Sequence, residues 1–287
     1  MRRLREFIIE KLVLLCGLAS IFFVVLIFLF LLREGLAVFK TISPSAFLAG
    51  RSWYPISEPP QLGILPLILG SLVVTFGAAL ISIPIGVGCA IYIAEIAPKR
   101  LKEILKAGIE MLAAIPSVVL GFIGMITLVP FVKTVFHLPT GLTALSGSIM
   151  LAFMAMPTIV SIAEDALYSI PKTYKEGALA MGATHWQAIW RVMLRAASSG
   201  ILAAIMLGIG RVIGETMAVM MITGNAAVMP HSLFVPVRTL TATIAAEMGE
   251  AVIGSEHYFA LFAIGIVLFV ISFAINVTAD LFLHKRQ

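Results

Sequence analysis

Charge is scarce in this chain: of 287 residues only 12% are Asp, Glu, Lys or Arg, while 60% are hydrophobic and the mean hydropathy is +1.07. A soluble domain of this length does not carry so apolar a composition, so the sequence predicts an integral membrane protein. Cysteine is almost absent. Cys16 and Cys89 each fall inside an apolar run with no second ligand nearby, which excludes a disulfide framework and a thiolate metal centre. The five histidines, at 137, 185, 231, 257 and 284, are scattered without metal-site spacing. No GxxxxGK followed by Ser or Thr occurs, so no P-loop nucleotide site is expected, and no Ser/His/Asp or Cys/His arrangement is tied to a motif. There is no clear internal repeat. Catalysis and a resident cofactor are therefore not expected of this chain. The net charge of +5 does not point to nucleic acid, because the basic residues sit in short clusters beside apolar runs, as they do where membrane topology is set.

What the chain does have is length of apolar sequence. Arg2, Arg3, Arg5 and Lys11 precede a 21-residue run from Leu12 to Leu32, enough to cross about 30 Å of hydrocarbon. With no small-residue cleavage site at its end, it reads as a retained first helix. Arg33 to Gly63, with Trp53, Tyr54, Pro55, Pro59 and Pro60, suits an interfacial loop. Further spans are predicted at about Pro66 to Ala94, Ile109 to Val129, Gly141 to Ile162, Gly200 to Ile222 and Tyr258 to Leu281. Pro84, Pro116 and Pro157 should kink or break three of these, and Gly121 and Gly124 permit close helix approach. A helix-like piece is expected around Leu240 to Val252 in the long segment before the last span. The organisation predicted is a first helix and outer segment over 1–65, then a core of five helices over 66–287.

Lys and Arg set the expected orientation. If the amino terminus is inside, fourteen lie on inner segments and five (Arg33, Lys40, Arg51, Lys133, Arg238) on outer ones, which places both termini in the cytoplasm. Arg211 completes the twenty and stands deep in the fifth span with Glu215. Four apart on one helix, the two would share a face and pair. Each charge costs roughly 2.5–3.5 kcal/mol at mid-bilayer, so they must face protein or a wet cavity. A fixed guanidinium offers a planar fork of donors to an oxyanion. The other reading is a buried salt bridge that only fixes packing. Gly210 and Gly214 add a GxxxG spacing, while Met217, Met220 and Met221 read as packing. Glu110, Glu164, Asp165 and Asp280 lie near span ends, where a solvated or snorkelling role is expected.

Pro171 to Ala197 is a polar island between spans. Pro171 suits a first helical turn, Gly182 interrupts the helix, and Thr184 caps a second one, on which Trp186 and Trp190 share one side and Arg191 and Arg195 another. An ordinary basic loop would also fit. Glu176, Gly177 and Ala178, then Gly182, then Val192 and Leu194, resemble the EAA motif of ABC importer permeases. Gly177 stands for the first Ala of that motif, and Arg195 for its usual Pro.

The segments ILPLILGSLVVT (64–75), IPSVVLGFIG (115–124), GRVIGETMAV (210–219) and TLTATIAAEMGEA (239–251) are similar to the PstC-type permease of the bacterial phosphate-specific ABC importer. That resemblance implies an all-α membrane protein of six transmembrane helices in the type I (MetI-like) arrangement, in the bacterial cell membrane. It also implies phosphate passage near Arg211, Glu215 and Thr216, and docking of an ATPase on the loop of Glu176, Gly177, Ala178, Gly182, Val192 and Leu194. The partners implied are a PstA-type permease, two PstB-type ATPases that bind ATP and Mg, and an extracytoplasmic PstS-type phosphate-binding protein. A permease for sulfate or molybdate, or a non-transporting scaffold or sensor subunit, are the alternatives.

Overall fold

The computed structural model describes residues 2–284, so Lys285 and Arg286, which close the expected basic stop, lie outside the described residues. Long apolar runs become helices here because a backbone in hydrocarbon must satisfy its own hydrogen bonds. Helix α1, Arg2–Gly35, is apolar on all sides and its described side chains are largely exposed, as a lipid-facing helix requires. It meets the last helix, α14 (Glu256–His284), through Phe28 on Phe269 at 4.6 Å and Phe30 on Phe262 at 5.4 Å between ring centroids.

The segment expected at the interface folds as a 3-10 turn (Leu36–Lys40), a short helix α2 (Pro44–Ala49) and a hairpin, with β1 (Trp53–Tyr54) antiparallel to β2 (Gln61–Leu62). Ser43 caps α2 by accepting the N–H of Ala46. Trp53, Phe47 and Leu62 are buried against Leu240, Leu261 and Ile264, and form a core at this end of the bundle.

Helices α3 (Leu65–Ile91) and α7 (Ala144–Tyr168) form the centre, and both run through their internal prolines, Pro84 and Pro157. Val74, Ala78, Leu151, Ala155 and Ile159 pack between them. At its far end α3 widens into a π turn, Tyr92–Ile96, in which the Tyr92 carbonyl accepts from the N–H of Ala97 at 2.8 Å. The fourth span therefore begins at Ala144, where Thr143 accepts from the N–H of Ser146, and extends past the expected Ile162 to Tyr168.

The third span is displaced from its expected limits. Lys99–Ala114 forms a separate amphipathic helix, α4, with no buried residue, and the apolar helix starts only after Pro116, as α5 (Ser117–Ile126) and α6 (Leu128–Val135). Proline disfavours the helical conformation in the residue before it, Ile115, which is extended, so the two helices separate there. A Cβ on Gly121 would lie 2.9 Å from Cα of Ala218, and one on Gly124 2.7 Å from Cδ1 of Ile222, so the expected close approach is made here.

The polar island gives α8 (Lys172–Ala180), α9 (His185–Ala188), a second π turn (Ile189–Met193) and α10 (Leu194–Ala196). The chain then bends by 71° into α11 (Ser198–Gly214), followed by α12 (Met217–Ile222). Among the described residues, five helical segments suffice by length and composition to cross a membrane, and six when the bent pair counts as one. The fifth span is the interrupted one. Helix α13 (Leu240–Glu247), capped by Thr239, fills the long segment before α14 and buries Leu240 to Thr243.

Glu164 does not take the solvated role expected of it. It is 3% exposed on α7 and receives Lys102 at 2.7 Å and Lys106 at 2.9 Å, both from α4. The hydrogen bond to Glu164 raises the pKa of Lys106 above its ordinary value, against the opposing effect of burial. Asp165 remains more exposed, also within reach of Lys106 at 3.2 Å. These pairs dock α4 onto α7, and their two partners are unequal. An ammonium left without Glu164 has a route to water, since the Lys102 and Lys106 side chains are 24% and 40% exposed, whereas Glu164 without its lysines has none. Lys102→Met with Lys106→Met is thus expected to destabilise by about 3–5 kcal/mol. Glu164→Leu should cost distinctly less. Thermal unfolding of the variants in detergent tests the order, and equal losses would contradict it.

Candidate functional site

Two groups of residues at different depths carry the candidate chemistry, joined by α11. Arg211 stands in the last turn of that helix, about 20 Å along its axis from Ser198 at a rise of about 1.5 Å per residue. Its side chain is exposed, and Nη1 donates to Oγ1 of Thr158 on α7 at 3.3 Å. The adjoining face of α11 is open: Leu207 is exposed, and a Cβ added to Gly210 or Gly214 would meet nothing within 4 Å. The GxxxG spacing thus packs nothing within this chain. Closer packing falls instead at Gly208, where an added Cβ would lie 2.5 Å from Cγ1 of Ile159.

Arg211 and Glu215 do not pair. The expectation that both share a helix face fails because α11 ends at Gly214, and Glu215 is extended, with φ −70° and ψ 132°. The Glu215 carboxylate turns instead onto the start of α12, where Oε1 accepts from the N–H groups of Thr216 at 3.2 Å and Ala218 at 3.4 Å. Those are free donors at a helix start, where a carboxylate is also favoured by the helix dipole. Thr241 of α13 donates its hydroxyl to the Glu215 carbonyl at 2.9 Å, which satisfies an acceptor exposed by the break, and Thr216 Oγ1 donates to the carbonyl of Gly214 at 3.2 Å. Among the described residues no carboxylate pairs with Arg211, so its cation is directed at the space beside α11.

The second group is the polar island. Pro171 stands just ahead of α8, at the capping position rather than inside the first turn. Gly182 has φ +86°, a left-handed conformation that only glycine adopts without strain, and this turns the chain between α8 and α9. Thr184 and Gln187 form a reciprocal capping box at 3.2 and 3.0 Å. Gly177, Ala178 and Val192 line one groove of about 430 Å³ with Tyr174, Met181 and Arg191. Glu176 lies on another side, lining a cavity of about 460 Å³ with Glu95, Lys175 and Leu179. Leu194 packs inward against the cluster of Ile189, Ala197 and Ile201. Trp186 and Trp190 meet edge to face at 5.8 Å and are both more than half exposed. Two adjacent exposed tryptophans make an apolar patch of the kind that marks a protein or membrane contact.

Three features of the structure had no counterpart in the sequence reading. Thr158 orients Arg211; Glu95 receives Lys175 at 2.5 Å. Glu247, at the end of α13, accepts from Trp53 Nε1 at 3.0 Å, pairs with Arg238, and meets Nε2 of His257 at 2.9 Å. This last cluster lines a cleft of about 1010 Å³ at the opposite end of the bundle from the polar island, with Tyr54, Ile56 and Glu250. Its partners come from segments 9 to 194 residues distant, a separation that no local pattern reports.

Comparison with known proteins adds the family context. Residues 82–286 match the family described as "Binding-protein-dependent transport system inner membrane component". The probable ABC transporter permease protein YqgH of Bacillus subtilis is 43% identical over 274 residues, which cover 95% of this chain and 89% of that protein. The phosphate transport system permease protein PstC of Mesorhizobium japonicum is 37% identical, over 84% of this chain and 78% of its own. A crystal structure of a bacterial ABC transporter involved in the import of the acidic polysaccharide alginate superposes with a TM-score of 0.66, at 17% identity and covering 99% of each chain.

Proposed function

Because the chain belongs to the family of binding-protein-dependent transport system inner membrane components, we propose that it is the permease through which an ATP-driven importer moves inorganic phosphate into the cytoplasm. It is a multi-pass protein of the inner membrane and a transport component rather than an enzyme. The observation that carries the substrate assignment is the Arg211 guanidinium, which has no carboxylate partner among the described residues and lies on an open face of an interrupted span. A permanent cation with a planar fork of donors suits a tetrahedral oxyanion, and the PstC relatives support phosphate among oxyanions.

The open face also needs company. A guanidinium facing lipid would cost roughly 2.5–3.5 kcal/mol even on the lenient insertion scale, so a second permease of the PstA type closes the cavity around it. Thr216 and Glu215 hold the break in the span beside that cavity. Two PstB-type ATPases, which carry the ATP and Mg, engage the groove around Gly177, Ala178 and Val192, with the polar island and both termini in the cytoplasm. A PstS-type binding protein delivers phosphate at the other end, over the cleft that contains Trp53 and Glu247. ATP-driven motion of α8 to α10 then alternates access to Arg211.

Competition for uptake in cells that depend on this transporter tests the substrate. Labelled phosphate uptake should be abolished by excess arsenate, a phosphate analogue, and unaffected by excess sulfate. Loss of uptake under sulfate would assign a different oxyanion.

A further inference from the structure

Helix α8 has no buried residue, so hydrophobic packing does not seat it firmly on the membrane body. The cavity of about 460 Å³ between α8 and the ends of α3 and α7 separates the two. Among the described residues one ion pair crosses this gap: Lys175 Nζ reaches Glu95 Oε2 at 2.5 Å, with the two side chains 26% and 10% exposed. Glu95 lies in the π turn at the end of α3, and the same turn carries Ile93, which is buried against Ile189, Leu167 and Ala197. The return helix thus grips that turn by apolar packing, and α8 grips it by charge. π turns are local departures from the helical ladder that recur at functional sites. Both arms of the polar island therefore bear on the irregular turn at the end of α3.

We infer that the Glu95–Lys175 ion pair transmits displacement of α8 to span α3, and that Glu95 is a positioning residue for the coupling of ATP hydrolysis to transport. The inference rests on the reading of the polar island as the ATPase-docking segment. If α8 moved without this pair, the cavity beneath it would absorb its motion, and only the packing of Ile93 on Ile189 would still tie the island to the turn. Glu95 is nearly enclosed, so loss of its partner leaves a carboxylate with little solvation, and a reversed pair restores the attraction in the same geometry.

The test uses the assembled transporter in proteoliposomes and measures phosphate taken up per ATP hydrolysed, with co-purification of the ATPase to verify assembly. Glu95→Lys and Lys175→Glu should each lower that ratio by about fivefold or more, the lower end of typical coupling energies. The double exchange should recover most of it. Glu95→Gln, which keeps the shape, should show a smaller loss in the same direction and serves if the reversed variants do not assemble. Normal ratios in the single variants, or a double exchange as impaired as either single one, would overturn the inference. Gly182→Val separates this from the reading beneath it. If Gly182→Val lowers uptake or ATPase co-purification while the Glu95 variants keep a normal ratio, only the role of Glu95 falls. If Gly182→Val leaves both uptake and ATPase co-purification normal, the docking segment itself is misassigned and the inference falls with it.

Discussion

Arg211→Gln is expected to abolish phosphate uptake while the transporter still assembles and hydrolyses ATP. Glutamine keeps much of the length and an amide NH2 group that can donate, so the hydrogen bond to Thr158 Oγ1, at 3.3 Å in the native chain, can be re-formed and the fit of α11 on α7 retained. What is lost is the charge and half of the fork. Two hydrogen bonds to an ionised group contribute about 3 kcal/mol or more, which corresponds to roughly a hundredfold or greater loss of anion affinity. The packing of the span should survive, because Gly208 against Ile159 and Val212 in the central core do not involve the guanidinium. Uptake and ATPase activity measured on the same proteoliposomes check this. Had Glu215 neutralised Arg211, the variant would have been ambiguous, since removing one partner would expose the other. The carboxylate instead caps α12, so the two residues fail separately.

Gly182→Val should be nearly as damaging, by a different route. The φ of +86° costs a residue with a Cβ about 1–2 kcal/mol, and a β-branched side chain more. No neighbour lies within 4 Å of an added Cβ, so crowding is not the problem; the turn itself must change. A changed turn moves α8 relative to α9, and with it the two sides of the groove formed by Gly177, Ala178 and Met181 on one hand and Gln187, Arg191 and Val192 on the other. Uptake should fall at least tenfold if the docking geometry costs about 1.4 kcal/mol or more. The ATPase should co-purify poorly. Gly182→Ala should be milder, and full uptake in Gly182→Val would remove the polar island from the coupling path.

The reach of the sequence followed the range of the interactions. The polar island was legible in detail because its determinants are local: Gly182 forces a turn, and Thr184 caps the helix that follows together with Gln187, three residues on. The apolar runs were legible because hydrocarbon demands helices. Limits were less so. Ile109 to Ala114 read as the beginning of a span, but Lys102 and Lys106 four residues apart draw that helix onto Glu164, 58 residues away from Lys106, and Pro116 separates it from the span that follows. The break at Glu215 was hidden for the same reason. Its i, i+4 spacing from Arg211 fits an unbroken helix, and the hydroxyl that satisfies its carbonyl belongs to Thr241, 26 residues on. Thr158 and Glu95 fall in no quoted segment, Glu247 falls in TLTATIAAEMGEA without a role attached to it, and each gains its importance from a partner in another element.

The most direct test of the account is accumulation of labelled phosphate in proteoliposomes that hold this chain with its permease and ATPase partners, supplied with the binding protein on one side and ATP on the other. The account predicts accumulation against a gradient that requires hydrolysable ATP and persists in excess sulfate. An assembled complex that hydrolyses ATP yet never concentrates phosphate would contradict it.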